Sequence, residues 1–111
     1  MKTPVSLVDL AETELARAIE SENGRSAVTV QGGRDQQLRQ TLMAMRAGEG
    51  LAEHSSPGEA TLQVLIGRVM LRSGEQSWPG FVGDLLPIPA ADHSLDAVED
   101  SVVLLTVVKA L

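Results

Sequence analysis

The stretch that decides the fold spans residues 49–74 and reads EGLAEHSSPGEATLQVLIGRVMLRSG. In its second half, apolar and polar residues alternate as they do in strands that bury one face. The predicted inward-facing residues are Ala60, Leu62, Val64, Ile66, Val69 and Leu71. The alternation changes phase at Gly67, and a slip of one residue reverses every side chain. We therefore predict a bulge or tight bend at Gly67 that separates two strands.

Strand signals continue along the rest of the chain. Short β-rich runs between turn residues predict strands at 27–30, 38–45, 76–78, 85–88, 93–97 and 102–108. The 38–45 segment has apolar residues on both faces, and its position between two glycine-rich turns favours a strand. Many short strands at a spacing of roughly ten residues are typical of an antiparallel sandwich or barrel.

Helical spacing is found at the beginning of the chain, over residues 6–22. Ser6 is the predicted N-cap, and Asn23-Gly24 is predicted to end the helix. The apolar side, expected to pack on a larger body, comprises Leu7, Leu10, Ala11, Leu15, Ala18 and Ile19. The side expected to face solvent comprises Glu12, Glu14, Arg17 and Glu20.

Composition excludes several classes of function. The chain has 111 residues, enough for one domain with a modest core, and a net charge of −6 from 15 acidic and 9 basic residues. No basic cluster is present, so we expect no nucleic-acid partner. No apolar run is long enough to span a bilayer or to act as a signal peptide, so we expect no membrane partner. The absence of cysteine fits a cytoplasmic protein.

Two spacings carry a resemblance to a known family. Five residues separate Gly48 from His54, and five separate Gly83 from Pro89 within GDLLPIPAADH at 83–93. With the strand order, they resemble the cupin motifs G-x5-H-x-H-x3-4-E-x6-G and G-x5-P-x-G-x2-H-x3-N. The resemblance implies an all-β, cupin-type jelly-roll barrel at residues 25–111, with one N-terminal α-helix at 1–24 packing on it in a single domain.

The metal-binding positions of these motifs are partly filled in this chain. His54 and His93 match two of the four ligand positions, whereas Ser56 and Ala60 stand at the second histidine and the glutamate. The resemblance therefore implies one divalent metal ion as a candidate cofactor, held by His54 and His93. In the alternative interpretation, both are barrel-mouth histidines that are hydrogen-bonded to neighbours or solvent.

Glu59 is the candidate third metal ligand. It lies next to the expected glutamate position, and strand alternation directs it to the opposite face unless Pro57-Gly58 forms a bulge. The alternative is a solvated carboxylate at the edge of a strand. Most divalent metal sites use three or more protein ligands, so two imidazoles alone predict a weak, open site.

Three functions follow as hypotheses. The first is a barrel that binds a small-molecule ligand without catalysis. The second is a metal-dependent enzyme, such as a dioxygenase or isomerase, that uses His54 and His93. The third is a structural protein whose barrel interior is packed shut by Leu62, Val64 and Ile88.

A homodimer is the predicted assembly. The resemblance implies pairing through sheet faces or edge strands. Apolar residues that look exposed support it, namely Met70, Trp78 and the second faces of the strands at 38–45 and 102–108, because such surfaces have to be covered.

Overall fold

The computed structural model describes residues 3–55 and 58–109 of the chain. Within them, the chain forms one helix, α1 (Leu7–Glu20), and nine strands. The strands are β1 (Arg25–Gln31), β2 (Leu38–Met45), β3 (Gly50–His54), β4 (Glu59–Ile66), β5 (Arg68–Ser73), β6 (Gln76–Phe81), β7 (Leu85–Pro87), β8 (His93–Ala97) and β9 (Ser101–Val108). The prediction of an all-β fold with one N-terminal helix is confirmed.

The strands form two antiparallel sheets. In the described part of the chain, the larger sheet has the order β1-β2-β9-β4-β7 and the smaller has the order β3-β8-β5-β6. One apolar core fills the space between the sheets, and this core contains Met45, Leu62, Val64, Val69, Leu71, Leu86, Leu95, Ala97 and Val103. This arrangement is the predicted jelly-roll sandwich.

Helix α1 covers the outer face of the larger sheet. It packs there in a second apolar cluster, which contains Ala11, Ala18, Val30, Leu42, Ala44, Val102 and Leu104. The second faces of β2 and β9 are therefore buried inside the chain. They do not need a partner subunit, contrary to the sequence-based argument for dimerisation.

The helix begins as expected but presents a different side to the sheet. Ser6 caps it, with its side-chain oxygen accepting from the backbone N–H of Asp9 at 3.2 Å. Glu14, predicted to face solvent, is only 2% exposed, whereas Ile19, predicted to be buried, is 43% exposed. The carboxylate of Glu14 accepts hydrogen bonds from Ser26 of β1 and from Arg17, so polar partners compensate its burial.

The change in apolar–polar alternation between residues 64 and 69 has two structural causes. The pairing of β4 with β9 shifts between Val64 and Ile66, which places Ile66 against the helix cluster and not in the core between the sheets. The prediction for Ile66 was wrong, because the bulge comes before the glycine. Gly67 itself has a φ of +82° and carries the chain from the larger sheet to the smaller one. The predicted tight bend at Gly67 is confirmed.

Strand β3 was missed by the sequence analysis. It is a short edge strand that pairs only with β8 among the described strands, and its last three residues are exposed. An edge strand with little burial has no apolar alternation that periodicity could detect.

We expect Gly67→Ala to destabilise the protein more than Gly74→Ala. Both glycines have positive φ, +82° and +58°, so alanine at either position costs about 1–2 kcal/mol of backbone strain. A Cβ at residue 67 would also meet the carbonyl oxygen of Asp100 and the hydroxyl of Ser101, whereas one at residue 74 meets nothing within 4 Å. Overpacking of this kind costs about 1–3 kcal/mol more.

The measurement is the free energy of unfolding in urea for the wild type and both variants. Gly74→Ala is the control for backbone strain alone. If both variants lose the same free energy of unfolding, a side chain is tolerated at Gly67, where the chain passes from the larger sheet to the smaller one.

Candidate ligand-binding site

The two histidines of the chain lie side by side on the smaller sheet. His54 ends β3 and His93 begins β8, and the two residues are direct partners in the antiparallel pairing. Their ring centroids are 4.5 Å apart, with the ring planes tilted by 58°. A register irregularity between Leu51 and His54 accompanies this approach. The structure thus brings the two predicted site residues together, while their role as metal ligands stays a prediction.

Backbone carbonyls fix the orientation of both rings. The Nδ1 of His54 lies 2.8 Å from the carbonyl oxygen of Ala52, and the Nδ1 of His93 lies 3.0 Å from that of Ala91. A carbonyl oxygen only accepts hydrogen bonds, so Nδ1 carries the proton in each contact. In the neutral ring, Nε2 then has a free lone pair. The site therefore contains two neighbouring imidazole nitrogens that can accept a proton or bind a metal.

The two rings differ in exposure. His93 is 5% exposed, whereas His54 is exposed to solvent. Together they line a cavity of about 20 Å³ between the sheets, whose other lining residues are Met43, Leu51, Leu62, Leu71, Ile88, Leu95 and Leu105. A cavity of this size holds about one water molecule. The cavity beside the two rings is therefore small, and the histidines are its only polar lining residues among those described.

The hypothesis of a structural protein predicts that three residues, Leu62, Val64 and Ile88, fill the barrel interior. Leu62 and Ile88 line the small cavity, and Val64 is completely buried in the same core. The cavity beside the histidines is therefore too small for a whole organic ligand.

Glu59 does not lie with the histidines. It is exposed at the start of β4, on the larger sheet, and the pairing of β4 with β9 is regular from Glu59 to Val64. Strand alternation therefore places Glu59 on the face opposite Leu62 and Val64, outside the barrel. The position of the second motif histidine, Ser56, and the predicted bulge residue Pro57 lie outside the described residues.

The donor set does not fit a tightly held metal ion. Across residues 3–55 and 58–109, no group of three or more His, Cys, Asp or Glu side chains is arranged to hold one. His54 and His93 supply two imidazoles, which is fewer than structural or catalytic metal sites generally use.

Other charged side chains of the smaller sheet and its turns have structural roles. The carboxylate of Asp84 accepts from the backbone N–H of Phe81 at 2.9 Å, which stabilises a turn. Arg68 and Arg72 form salt bridges with Glu99 and Asp96. Arg34 lies in the turn between β1 and β2 and Arg39 lies near the start of β2, and neither was predicted as a site residue. Two arginines that closely follow the Gly32-Gly33 pair were the available signal.

Comparison with known proteins identifies the fold. No protein-family model and no curated protein matches the chain. A cupin superfamily protein from Desulfitobacterium hafniense DCB-2 matches with a TM-score of 0.79 and 18% identity, over 99% of this chain and 94% of that one. A conserved protein of unknown function from Streptococcus pyogenes matches with a TM-score of 0.72 and 28% identity, over 82% and 79%.

An enzyme shares the same architecture. The salicylate 1,2-dioxygenase from Pseudaminobacter salicylatoxidans matches with a TM-score of 0.72 and 16% identity, over 89% of this chain but 33% of the enzyme. The protein has the cupin fold, and the cupin-type barrel expected from the two motifs is confirmed. Its fold is shared by an enzyme and by a protein of unknown function, so the fold alone assigns no activity. Among the described residues, no helix is long and apolar enough to cross a lipid bilayer.

We expect both histidines to carry their proton on Nδ1 when the rings are neutral. Each Nδ1 donates to a backbone carbonyl in the structure, which leaves Nε2 unprotonated. Long-range ¹H–¹⁵N NMR spectra at alkaline pH distinguish the two tautomers, and the chain has only two histidines to assign. His54→Gln identifies its own signal. A protonated Nε2 on both rings contradicts this account of the site.

Proposed function

We propose that this protein binds a small molecule at the mouth of its cupin barrel, with His54 and His93 as the polar contacts. The observation that carries the proposal is the paired rings, each held at Nδ1 by a backbone carbonyl, with no hydrogen bond to Nε2 from the residues that the structure describes. Fixed polar groups in an apolar surrounding are typical of small-molecule sites. No catalytic step is included in this proposal.

The apolar wall of the cavity defines where the ligand lies. The space beside the two rings is about 20 Å³, so it accepts a single small group and not a whole organic molecule. The body of the ligand therefore lies outside, against the exposed ring of His54. One polar atom of the ligand donates to Nε2 of His93, whose side chain is only 5% exposed.

Binding of a divalent metal ion is the second candidate function. It is favoured by the two imidazoles, whose Nδ1–H groups are anchored as metal-binding histidines generally are. With two protein ligands, the ion would be bound weakly and would keep open positions for an external ligand. A dioxygenase- or isomerase-like activity would require this ion.

We expect ligands of the site to shift the NMR signals of both histidine rings. The proposed experiment titrates a library of small polar fragments, and separately Zn²⁺ and Ni²⁺, into the ¹⁵N-labelled wild type. His54→Gln and His93→Gln remove an Nε2 acceptor each and are expected to weaken binding about tenfold or more, in line with the loss of one buried hydrogen bond or metal ligand.

Glu59→Gln is the matched control, because Glu59 is exposed on the other sheet. If Glu59→Gln abolishes metal binding, Glu59 is the third metal ligand after all. If neither the fragments nor the metals move either ring signal, both candidate functions are wrong.

We also propose that the protein forms a homodimer through the edge strands β6 and β7. Trp78, Phe81, Val82 and Leu85 are 37%, 52%, 63% and 62% exposed there. Trp78 and Leu85 also line one groove of about 430 Å³ between the two sheet edges. An exposed apolar edge of this kind is usually covered by another chain. The partly buried Met70 contributes less to this surface than its sequence position suggested.

We expect Leu85→Asp to convert the dimer into a monomer, because a carboxylate in an apolar interface is not compensated. Val8→Asp is the control, since Val8 is equally exposed, at 68%, on helix α1. Light scattering after size-exclusion chromatography at micromolar concentration gives the mass. The proposed interface at β6 and β7 is wrong if the wild type has the mass of a single chain. It is also wrong if both variants dissociate to the same extent.

A further inference from the structure

A polar cavity lies at the turn between β1 and β2. Its volume is about 280 Å³, and its lining includes Thr29, Gly32, Gly33, Arg34, Arg39 and Thr41. Gly32 has a φ of +129°, and a Cβ there would lie 3.4 Å from the Cα of Arg39. The glycine backbone therefore passes close to the arginine while leaving the space beside it open.

The two arginines in this cavity differ from the other arginines of the described chain. Four of those form salt bridges, namely Arg17–Glu14, Arg46–Glu49, Arg68–Glu99 and Arg72–Asp96, and Arg25 donates to the carbonyl oxygen of Gly50. Within the described residues, neither Arg34 nor Arg39 forms a salt bridge or a side-chain hydrogen bond. The Nε of Arg39 is buried and has no hydrogen-bond partner there.

A buried guanidinium nitrogen without an acceptor is costly, since arginine stays charged at every physiological pH. The chain has 15 acidic residues, yet none of those described is paired with these two arginines. The planar guanidinium matches the oxygens of a carboxylate or phosphate group in a two-pronged contact. An anion from outside the chain would satisfy the buried Nε of Arg39.

We propose that Arg34 and Arg39 bind the oxyanion of a small organic ligand, with Thr29 and Thr41 as hydroxyl partners. The protein as a whole is negatively charged, so long-range attraction does not bring an anion to this site. Selectivity comes from the two local guanidinium groups.

The cavity adjoins the histidine site, which defines the shape of the ligand. Thr41 lines the arginine cavity, and its direct partner on β9, Leu105, lines the histidine cavity. Met43, two residues beyond Thr41 on the same face of β2, lines the histidine cavity as well. Directly opposed residues in a sheet have Cβ atoms about 5 Å apart. A ligand held by Arg39 therefore places its apolar body toward Met43 and Leu105.

The placement of the ligand's apolar part toward the histidines rests on the function proposed for them, whereas the anion site at the arginines does not. The inferred ligand is a small organic acid or phosphate ester. Its charged group lies at the arginines, and its apolar part extends toward the paired rings.

The test is isothermal titration of the full chain with acetate, hexanoate and inorganic phosphate at low salt. We expect all three to bind, and hexanoate to bind several-fold more tightly than acetate because its chain contacts Met43 and Leu105. Arg39→Gln is expected to weaken the binding of each anion roughly 10- to 100-fold, as the loss of a charge-assisted hydrogen bond does. Arg39→Lys keeps the charge but not the planar guanidinium group, so this variant is expected to lose less anion affinity.

Arg72→Gln is the matched control, because it removes the same charge from an exposed salt bridge with Asp96. Arg34→Gln at an exposed position provides a second variant if Arg39→Gln does not fold. Equal losses for Arg39→Gln and Arg72→Gln, or no binding of any of the three anions, overturn the proposal. Binding that depends on Arg39 and not on either histidine keeps the anion site, because acetate and hexanoate carry no hydrogen-bond donor for Nε2. The function proposed for the histidines stands or falls separately, in the fragment and metal titrations.

Discussion

Strand β9 imposes the main physical constraint on this fold, because its side chains are apolar on both faces. It lies at the centre of the larger sheet, where it pairs with β2 on one side and β4 on the other. Val103 belongs to the core between the sheets, whereas Val102 and Leu104 belong to the helix cluster. Full burial of one such side chain contributes about 1.5–3 kcal/mol. Both faces must therefore be covered, one by the smaller sheet and the other by helix α1.

This packing also determines where a ligand can bind. Apolar side chains fill the core between the sheets, and the cavity beside the histidine rings has a volume of about 20 Å³. Two polar groups lie at the margins of this core: the histidine pair at the junction of β3 and β8, and the arginines at the turn between β1 and β2. The paired residues Thr41 and Leu105 connect the two places, because each lines one of the two cavities.

Strands with strong local signals were predicted well. The segments Leu38–Met45 and His93–Ala97 have the predicted bounds, because turn residues on either side delimit them without reference to the rest of the chain. The wrong predictions concern residues whose burial depends on contacts with distant parts of the chain. Ile66 faces the helix because of a bulge against β9, and Glu14 is buried because Ser26 of the adjoining strand supplies a hydrogen-bond donor. Neither partner is near in sequence to the residue that it affects.

The sequence by itself determined the strand-rich architecture, the capped N-terminal helix, the bend at Gly67 and the two candidate histidines. These features depend on local periodicity and on backbone preferences of single residues. Only the tertiary structure decided that the imidazoles touch, that β4 pairs with β9 in regular register from Glu59, and that Arg34 and Arg39 share a cavity without an acidic partner among the described residues. Register between strands and the order of strands in a sheet set these distances, and such contacts join residues that are far apart in the chain.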